Sequence, residues 1–407
     1  MGGAGGYIWY ELRWLAAVLV LAVSLPAPLH AHHGISNWDL NRDLSVTGQL
    51  TRIEFINPHA WLHLEVKGAG GKPEEWSCEM RSAHSLRRSG WTMEMFRAGS
   101  TITVTGSPER TKPRQCYLST IQFADGTRMD RYGQRQLPAA EKARAAVVRP
   151  ARTADGRPNL AGDWAAEQRV MSDPRGQMGT LVPLSQAPSL QPGELPAGQR
   201  AFPGARGTPE SLAADPVRAA WDRPVPVKLT ATGRKALESF NPASTDNPRL
   251  RCQPTGILFD WTFDSVPNRI TQTASRITML YGHMDLAREI HLDGKAPAAG
   301  SKASRAGFSV GRWEGDVLVV ETTHFLPGVL NADSRILHGS KLQVTERFEL
   351  DATTHRLTRR YEAVDPEYFE DTWRGVDMVF PSDVAYAPYR CKDPGGAPAG
   401  KAPAASR

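Results

Sequence analysis

The sequence predicts a mainly β chain organised as two domains, and three observations carry that reading. Short runs in which apolar and polar residues alternate recur from residue 44 to 123 and again from 257 to 363, each bounded by Gly, Pro, Asn or Asp. Between them, residues 136–158 lose periodicity and fill with Ala, Arg and Pro, which marks a linker. The four cysteines divide two and two, Cys78 and Cys116 ahead of that stretch and Cys252 and Cys391 after it.

Residues 1–31 read as an export signal. Glu11 and Arg13 precede an apolar run from Trp14 to Leu25, Pro26 and Pro28 break it, and Leu29-His30-Ala31 places a small residue at the cut. The run falls short of the roughly 20 apolar residues that span a bilayer. Cutting after Ala27 would put Pro28 beyond the scissile bond, so the expected cut follows Ala31. The mature protein is then expected to be soluble, periplasmic or secreted, with no stable membrane insertion once the signal is gone.

The first domain is assigned to residues 32–135. Leu44–Phe55, Trp61–Lys67 and Glu74–Met80 read as strands, Ser82 caps a helix running to Ser89 with Gly90 ending it, and Thr101–Gly106 and Cys116–Phe123 complete the set. Strand, strand, strand, helix, strand, strand is the order of a five-stranded OB-like barrel.

The second domain is assigned to residues 159–393. Asn159 to Trp164 opens it, and Gly162-Asp163-Trp164 resembles the first strand of a lipocalin-type barrel. Residues 172–226 are dense in Pro and Gly without an apolar period and are expected to form an extended wrap or loop. Thr232 is expected to cap a helix ending at Phe240. Strand signals follow at Ile257–Phe263, Arg269–Thr273, Arg276–Tyr281, Ala287–Leu292, Phe308–Trp313, Val317–Thr323, Leu342–Leu350 and Arg356–Ala363, with Gly315-Asp316 as a hairpin turn. That spacing predicts an antiparallel β-barrel or sandwich, lipocalin-like among the options. The tail 394–407 is Gly, Ala, Pro and Lys and is expected to be disordered.

A net charge of +6 from 49 Lys+Arg and 43 Asp+Glu is a solubility balance, so no nucleic-acid partner is expected. In an oxidising compartment four cysteines suggest two disulfides, and of the three pairings the economical one keeps a bridge in each domain, Cys78–Cys116 and Cys252–Cys391.

The run from His32-His33-Gly34 through Val46-Thr47-Gly48, Asn57-Pro58-His59-Ala60-Trp61, Trp76 and Gly90-Trp91 resembles an exported bacterial family known only as domain of unknown function 6152, over roughly residues 30–125. Gly307 to Asp316 and Asp365-Pro366-Glu367-Tyr368 are similar to regions of other uncharacterised secreted bacterial proteins. The resemblance implies export and a two-part architecture and brings no activity.

Histidines 32, 33, 59, 63 and 84 concentrate imidazoles in the first domain. Cleavage before His32 would place a free α-amine beside an imidazole, a chelating pair that suits copper better than a tetrahedral structural zinc. The expected metal residues are His32, His59 and His33, with copper as the ion. His59 and His63 would stand about 13 Å apart along one strand and cannot share an ion; His59, after a proline-fixed turn, is the better partner, and His63 is expected to be packed or hydrogen-bonded. A second reading makes the later domain a carrier of a small apolar ligand lined by Trp164, Trp261, Phe263, Phe308 and Trp313. A third is a hydrolase-type enzyme using Glu314, Asp316, Glu321, His324, Asp365 and Glu367, with His283/Asp285 and His291/Asp293 as pairs on strand faces. No nucleophile elbow, phosphate loop, Cys-x-x-Cys or helical His-Glu-x-x-His is present.

Overall fold

A computed structural model describes residues 38–39, 42, 44–131, 150–167, 169–171, 181–183, 227–241, 246–294, 297, 300–331, 335–382 and 384–392. The expected signal segment, His32 and His33, linker residues 136–149, nearly all of 172–226 and the tail 394–407 lie outside the described residues.

The first unit is a closed five-stranded barrel. Strands β1 (Leu44–Glu54), β2 (Trp61–Lys67), β3 (Pro73–Glu79), β4 (Thr101–Pro108) and β5 (Gln115–Gln122) run β3-β2-β1-β4-β5, and a parallel β3–β5 pairing closes the ring. The short β6 (Arg128–Asp130) pairs with β5. Alternation along β1 and β2 turns Leu50, Leu62 and Leu64 inward, where they meet Met80, Trp91, Val104, Leu118 and Ile121. Helix α1 (Ala83–Arg88) is capped as expected, with Ser82 accepting from the Ser85 amide at 3.2 Å. Cys78 and Cys116 are direct partners across the β3–β5 closure, so their disulfide fastens the seam of the barrel.

The second unit is a nine-stranded closed barrel. Its ring is β10 (Asn268–Gln272), β11 (Arg276–Leu280), β12 (Ala287–His291), β13 (Phe308–Glu314), β14 (Val317–Thr323), β17 (Gln343–Asp351), β18 (Arg356–Val364), β19 (Trp373–Pro381) and β7 (Gly162–Ala165). Two hairpins stand apart from the ring: β8 (Arg169–Met171) with β9 (Leu181–Pro183), and β15 (Gly328–Asn331) with β16 (Ile336–His338). All ring pairings are antiparallel except β12–β13, where Ile290 lies beside Ser309 and His291 beside Val310. The nine strands and the parallel junction distinguish it from the eight-stranded up-and-down lipocalin pattern. The linker residues 150–158 pack on the hairpin tip, with Arg152 paired to Asp316 at 2.6 Å.

The interior has an apolar layer, including Ile270, Ile277, Ile290, Leu318, Val320 and Phe348, and a charged one. Glu346 on β17 receives Arg288 from β12 and Arg359 from β18, and Arg359 also binds Asp377 on β19. Arg288 further donates to Ser309 at 2.9 Å and Thr322 at 2.8 Å.

Two expected elements differ. Ile257–Phe263 is a run of turns that plugs one part of this core, with Ile257, Leu258, Phe259 and Trp261 all buried. Its backbone is satisfied by side chains instead of a neighbouring strand: Arg359 donates to the carbonyls of Ile257 at 2.8 Å and Leu258 at 3.0 Å. Helix α2 (Ala231–Ser239) is capped by Thr230 and not Thr232, because Thr230 is docked on the Glu367 and Tyr368 carbonyls while its hydroxyl accepts from Gly233.

Cys252–Cys391 joins residues 139 apart and pins the C-terminal strap, residues 384–392. By loop-closure entropy this bridge stabilises the second barrel by about 5 kcal/mol. Replacing both cysteines with serine should lower the urea midpoint accordingly; an unchanged midpoint would mean that the strap is held without the bridge.

Candidate functional site at the junction of the two barrels

The loop between β1 and β2 carries Asn57-Pro58-His59-Ala60, and the structure places it where the two barrels meet. Asn57 is 6 % exposed and ties three elements together. Its amide nitrogen donates to the Tyr389 carbonyl at 2.6 Å and to His84 Nδ1 at 2.7 Å, its side-chain oxygen accepts from the His84 amide at 3.3 Å, and its own carbonyl accepts from the Lys392 amide at 2.9 Å. His84 reaches the strap from α1: with Nδ1 accepting, Nε2 donates to the Ala387 carbonyl at 3.1 Å, and its ring stacks on Tyr389 at 5.6 Å between centroids. Burial lowers the His84 pKa, consistent with that neutral tautomer.

The second barrel answers with Asp264, which accepts from Arg81, Ser82 and Ser85 around α1. Arg88 donates to the carbonyls of Ser265 and Ala166. Asp264 and Ser265 both adopt left-handed backbone, φ 53° and 54°, as do Cys252, Met284, Asp285 and Arg390 nearby in the strap and its supports. Such conformations cost energy in non-glycine residues and persist where surrounding contacts fix them. Asp285 provides one such fixation, accepting from the Tyr389 amide at 2.6 Å and the Arg390 amide at 2.9 Å.

His59 lies beside this junction with 29 % of its side-chain surface still open. Its Nδ1 is 3.3 Å from the Met80 carbonyl and 3.1 Å from Glu79 Oε1. The Met80 carbonyl can only accept, so the proton sits on Nδ1 and the lone pair on Nε2. Crowding by both barrels and the nearby Arg131 charge push the His59 pKa down to about 4, which keeps the ring neutral. Glu79 is buried and its pKa is pushed up to about 7 by desolvation, against the pull of Arg131. The Arg131 guanidinium lies 3.6 Å from Glu79 Oε1, donates to the carbonyls of Glu79, Leu118 and Met80, and lays its face on Tyr117, 3.5 Å from the ring centroid.

His63 is separate from this arrangement. It lies on the outside of β2 at 8 % side-chain exposure, 3.1 Å from Ser77 and beneath Glu54 and Glu75. Trp38, near the start of the described chain, is buried against Trp61 and Tyr117 at 6.4 and 5.7 Å, and the Asp39 amide bonds to Pro108 at 2.8 Å. Among the described residues no three His, Cys, Asp or Glu side chains gather as a metal site.

The aromatics proposed to line a ligand cavity are dispersed. Trp164 and Trp261 are core, Phe263 packs with Phe259 in another cluster, and Phe308 stacks on His291. The second-domain carboxylates are likewise committed: Glu314 to Arg312 and Arg347, Glu321 to Arg312, Asp316 to Arg152, and Asp365 to the Gly339 and Glu367 amides. His283 and Asp285 leave the strand for a loop, and His283 pairs instead with the buried Asp260 at 2.6 Å. The junction residues Glu79, Asp260, Asp264 and Tyr389 were not anticipated, because each is defined by a partner more than 20 residues away or on the other barrel; Glu79 alone had a cue, a carboxylate in an otherwise core-facing strand end.

Residues 19–116 match the model of a family of unknown function (DUF6152), which takes in most of the first barrel and none of the second. No curated protein matches the chain.

Proposed function

We propose that this is an exported protein that binds Cu(II) through the α-amine and imidazole of His32, freed by removal of residues 1–31, together with His59, with His33 as a further imidazole. One observation carries the reading: His59 is held as a metal-binding histidine is held. Its Nδ1–H faces Glu79 and the Met80 carbonyl, which orients the ring with its lone pair on Nε2. The chain can also make the connection. Trp38 is anchored against Trp61, two residues from His59, and the six residues from His32 to Trp38 can span roughly 20 Å when extended.

Copper titration of chains with two different starts tests this. Protein beginning at His32 should bind Cu(II), more weakly as pH falls because protons compete for amine and imidazole. A chain beginning Met-His32 should lose most of the affinity, His59→Ala part of it, and His63→Ala almost none. Equal affinity in the two starts would rule the amine out.

A further inference from the structure

We propose that Asn57 and His84 form a proton-sensitive latch, which ties the C-terminal strap of the second barrel to the first barrel while His84 is neutral and releases it when the ring takes up a proton. The latch involves no metal and stands apart from the copper reading.

Geometry sets the protonation state. The Ala387 carbonyl can only accept, so it requires a hydrogen on His84 Nε2, 3.1 Å away, and leaves the lone pair on Nδ1. Asn57 suits that form alone. Its Nδ2 gives one hydrogen to Nδ1 at 2.7 Å and the other to the Tyr389 carbonyl at 2.6 Å, while its Oδ1 accepts from the His84 amide at 3.3 Å. Turning the side-chain amide over, to offer oxygen to a protonated Nδ1, would set that oxygen against the Tyr389 carbonyl and the nitrogen against the His84 amide hydrogen. A second ring proton therefore costs either its own contact with Asn57 or two others. Asn57 and His84 are 6 % and 7 % exposed, so the unsatisfied donors stay buried until the contact opens.

The groups around the ring oppose the proton on balance. Burial disfavours the cation most, and Arg87 on α1 adds to it; the Ala387 bond and the charges of Asp285 and Asp264 act the other way, and the His84 pKa lies below its ordinary 6.5. Both acids already hold other donors, Asp285 the amides of Tyr389 and Arg390, Asp264 the side chains of Arg81, Ser82 and Ser85. Tyr389, stacked on His84 at 5.6 Å, stays an uncharged phenol because burial raises its pKa. Its ring also meets His283 at 5.3 Å, which is paired with Asp260. The closed latch thus binds fewer protons than the open one. Its stability is complete above pH 6.5 and is lost as pH falls from there to the lowered value of the closed state.

Only the seam with the first barrel depends on this pair. There the strap is held by His84 at Ala387, by Asn57 Nδ2 at Tyr389 and by the Asn57 carbonyl, which accepts from the Lys392 amide at 2.9 Å. On its own barrel the strap is held by Asp285, by Asp163 at the Tyr386 amide, 3.0 Å, and by the Cys252–Cys391 bridge. Protonation therefore parts the strap from α1 and leaves it on the second barrel. Asp264 keeps its grip on α1 meanwhile, because its own pKa is held below the usual carboxylate value.

Hydrogen exchange of the full, disulfide-intact, metal-free protein between about pH 8 and about pH 4 tests the latch. Mass spectrometry follows the amides of the strap and of β17, corrected for the intrinsic effect of pH on exchange, and exchange at the imidazole carbon gives each histidine's own titration in the same samples. The strap should lose protection by about tenfold, the cost of one unsatisfied buried donor, with a midpoint that follows His84, while β17 does not change. His84→Gln should make strap protection independent of pH in this range. If that variant does not fold, the agreement of the two wild-type midpoints decides. Strap protection that is constant throughout, that follows the titration of His283 or His59, or that still falls with pH in His84→Gln, overturns the latch.

Discussion

Glu346→Gln should destabilise the second barrel by about 3 to 5 kcal/mol, the range for removing one partner of a buried ion pair. Glu346 is fully buried, and its two oxygens are divided between Arg288 and Arg359, themselves 1 % and 0 % exposed. An amide in its place presents hydrogens to one of the two guanidiniums and neutralises neither. Asp377 would remain for Arg359, while Arg288 would keep only hydroxyl partners at Ser309, Thr322 and Tyr281. Replacing the whole set with apolar residues is often neutral in other proteins. Here it should recover stability only in part, because Arg359 also satisfies the Ile257 and Leu258 carbonyls, which no apolar side chain can do. Urea unfolding followed by tryptophan fluorescence measures both variants; a Glu346→Gln midpoint within about 1 kcal/mol of wild type would show that the network is not structural.

That network also explains which parts of the fold were legible in the sequence. Strands with polar residues outside and apolar residues inside, such as Gln343–Asp351 and Trp61–Lys67, announce themselves by alternation. Trp373–Pro381 does not: Gly375 and Asp377 point inward, the first because the Tyr361 ring occupies the space a Cβ would need, the second because it answers Arg359. An inverted pattern of this kind reads as loop. Ile257–Phe263 failed in the opposite direction, since an apolar run buried on every side resembles a strand although its carbonyls are bound by side chains. At the candidate site, Asn57 and His59 were visible as residues in a proline-fixed loop. Their partners were not, because Tyr389 and Lys392 lie over 300 positions further along the chain and local pattern carries no information about them.

Asp264→Asn should loosen the junction between the barrels, and pH should show why. Burial alone would raise the Asp264 pKa, but Arg81, Ser85 and Ser82 hold it below the usual carboxylate value. A carboxylate with a depressed folded-state pKa contributes stability that is complete above its unfolded value, about 3.9, and is lost as pH falls through the lower folded value. Asn is nearly isosteric and tolerates the left-handed backbone at this position, φ 53°, so the substitution removes charge without reshaping the loop. It removes the carboxylate that pairs with the Arg81 guanidinium, whose side chain is 15 % exposed. Because Arg81 and Asp264 both retain some solvent contact, the expected loss is about 2 kcal/mol, below that for a fully buried pair. Wild type and variant should therefore differ by a constant amount from pH 5 to pH 8 and converge only below about pH 4, as read from urea midpoints at each pH. The wild type should lose junction contacts over that same acid interval, detected as new proteolytic cleavage near residues 262–266, while the variant should be cleaved there at every pH. A gap that closed already near pH 6 would assign the linkage to a histidine, and His84, which joins α1 to the Ala387 carbonyl of the strap, would then be the group that holds the barrels together.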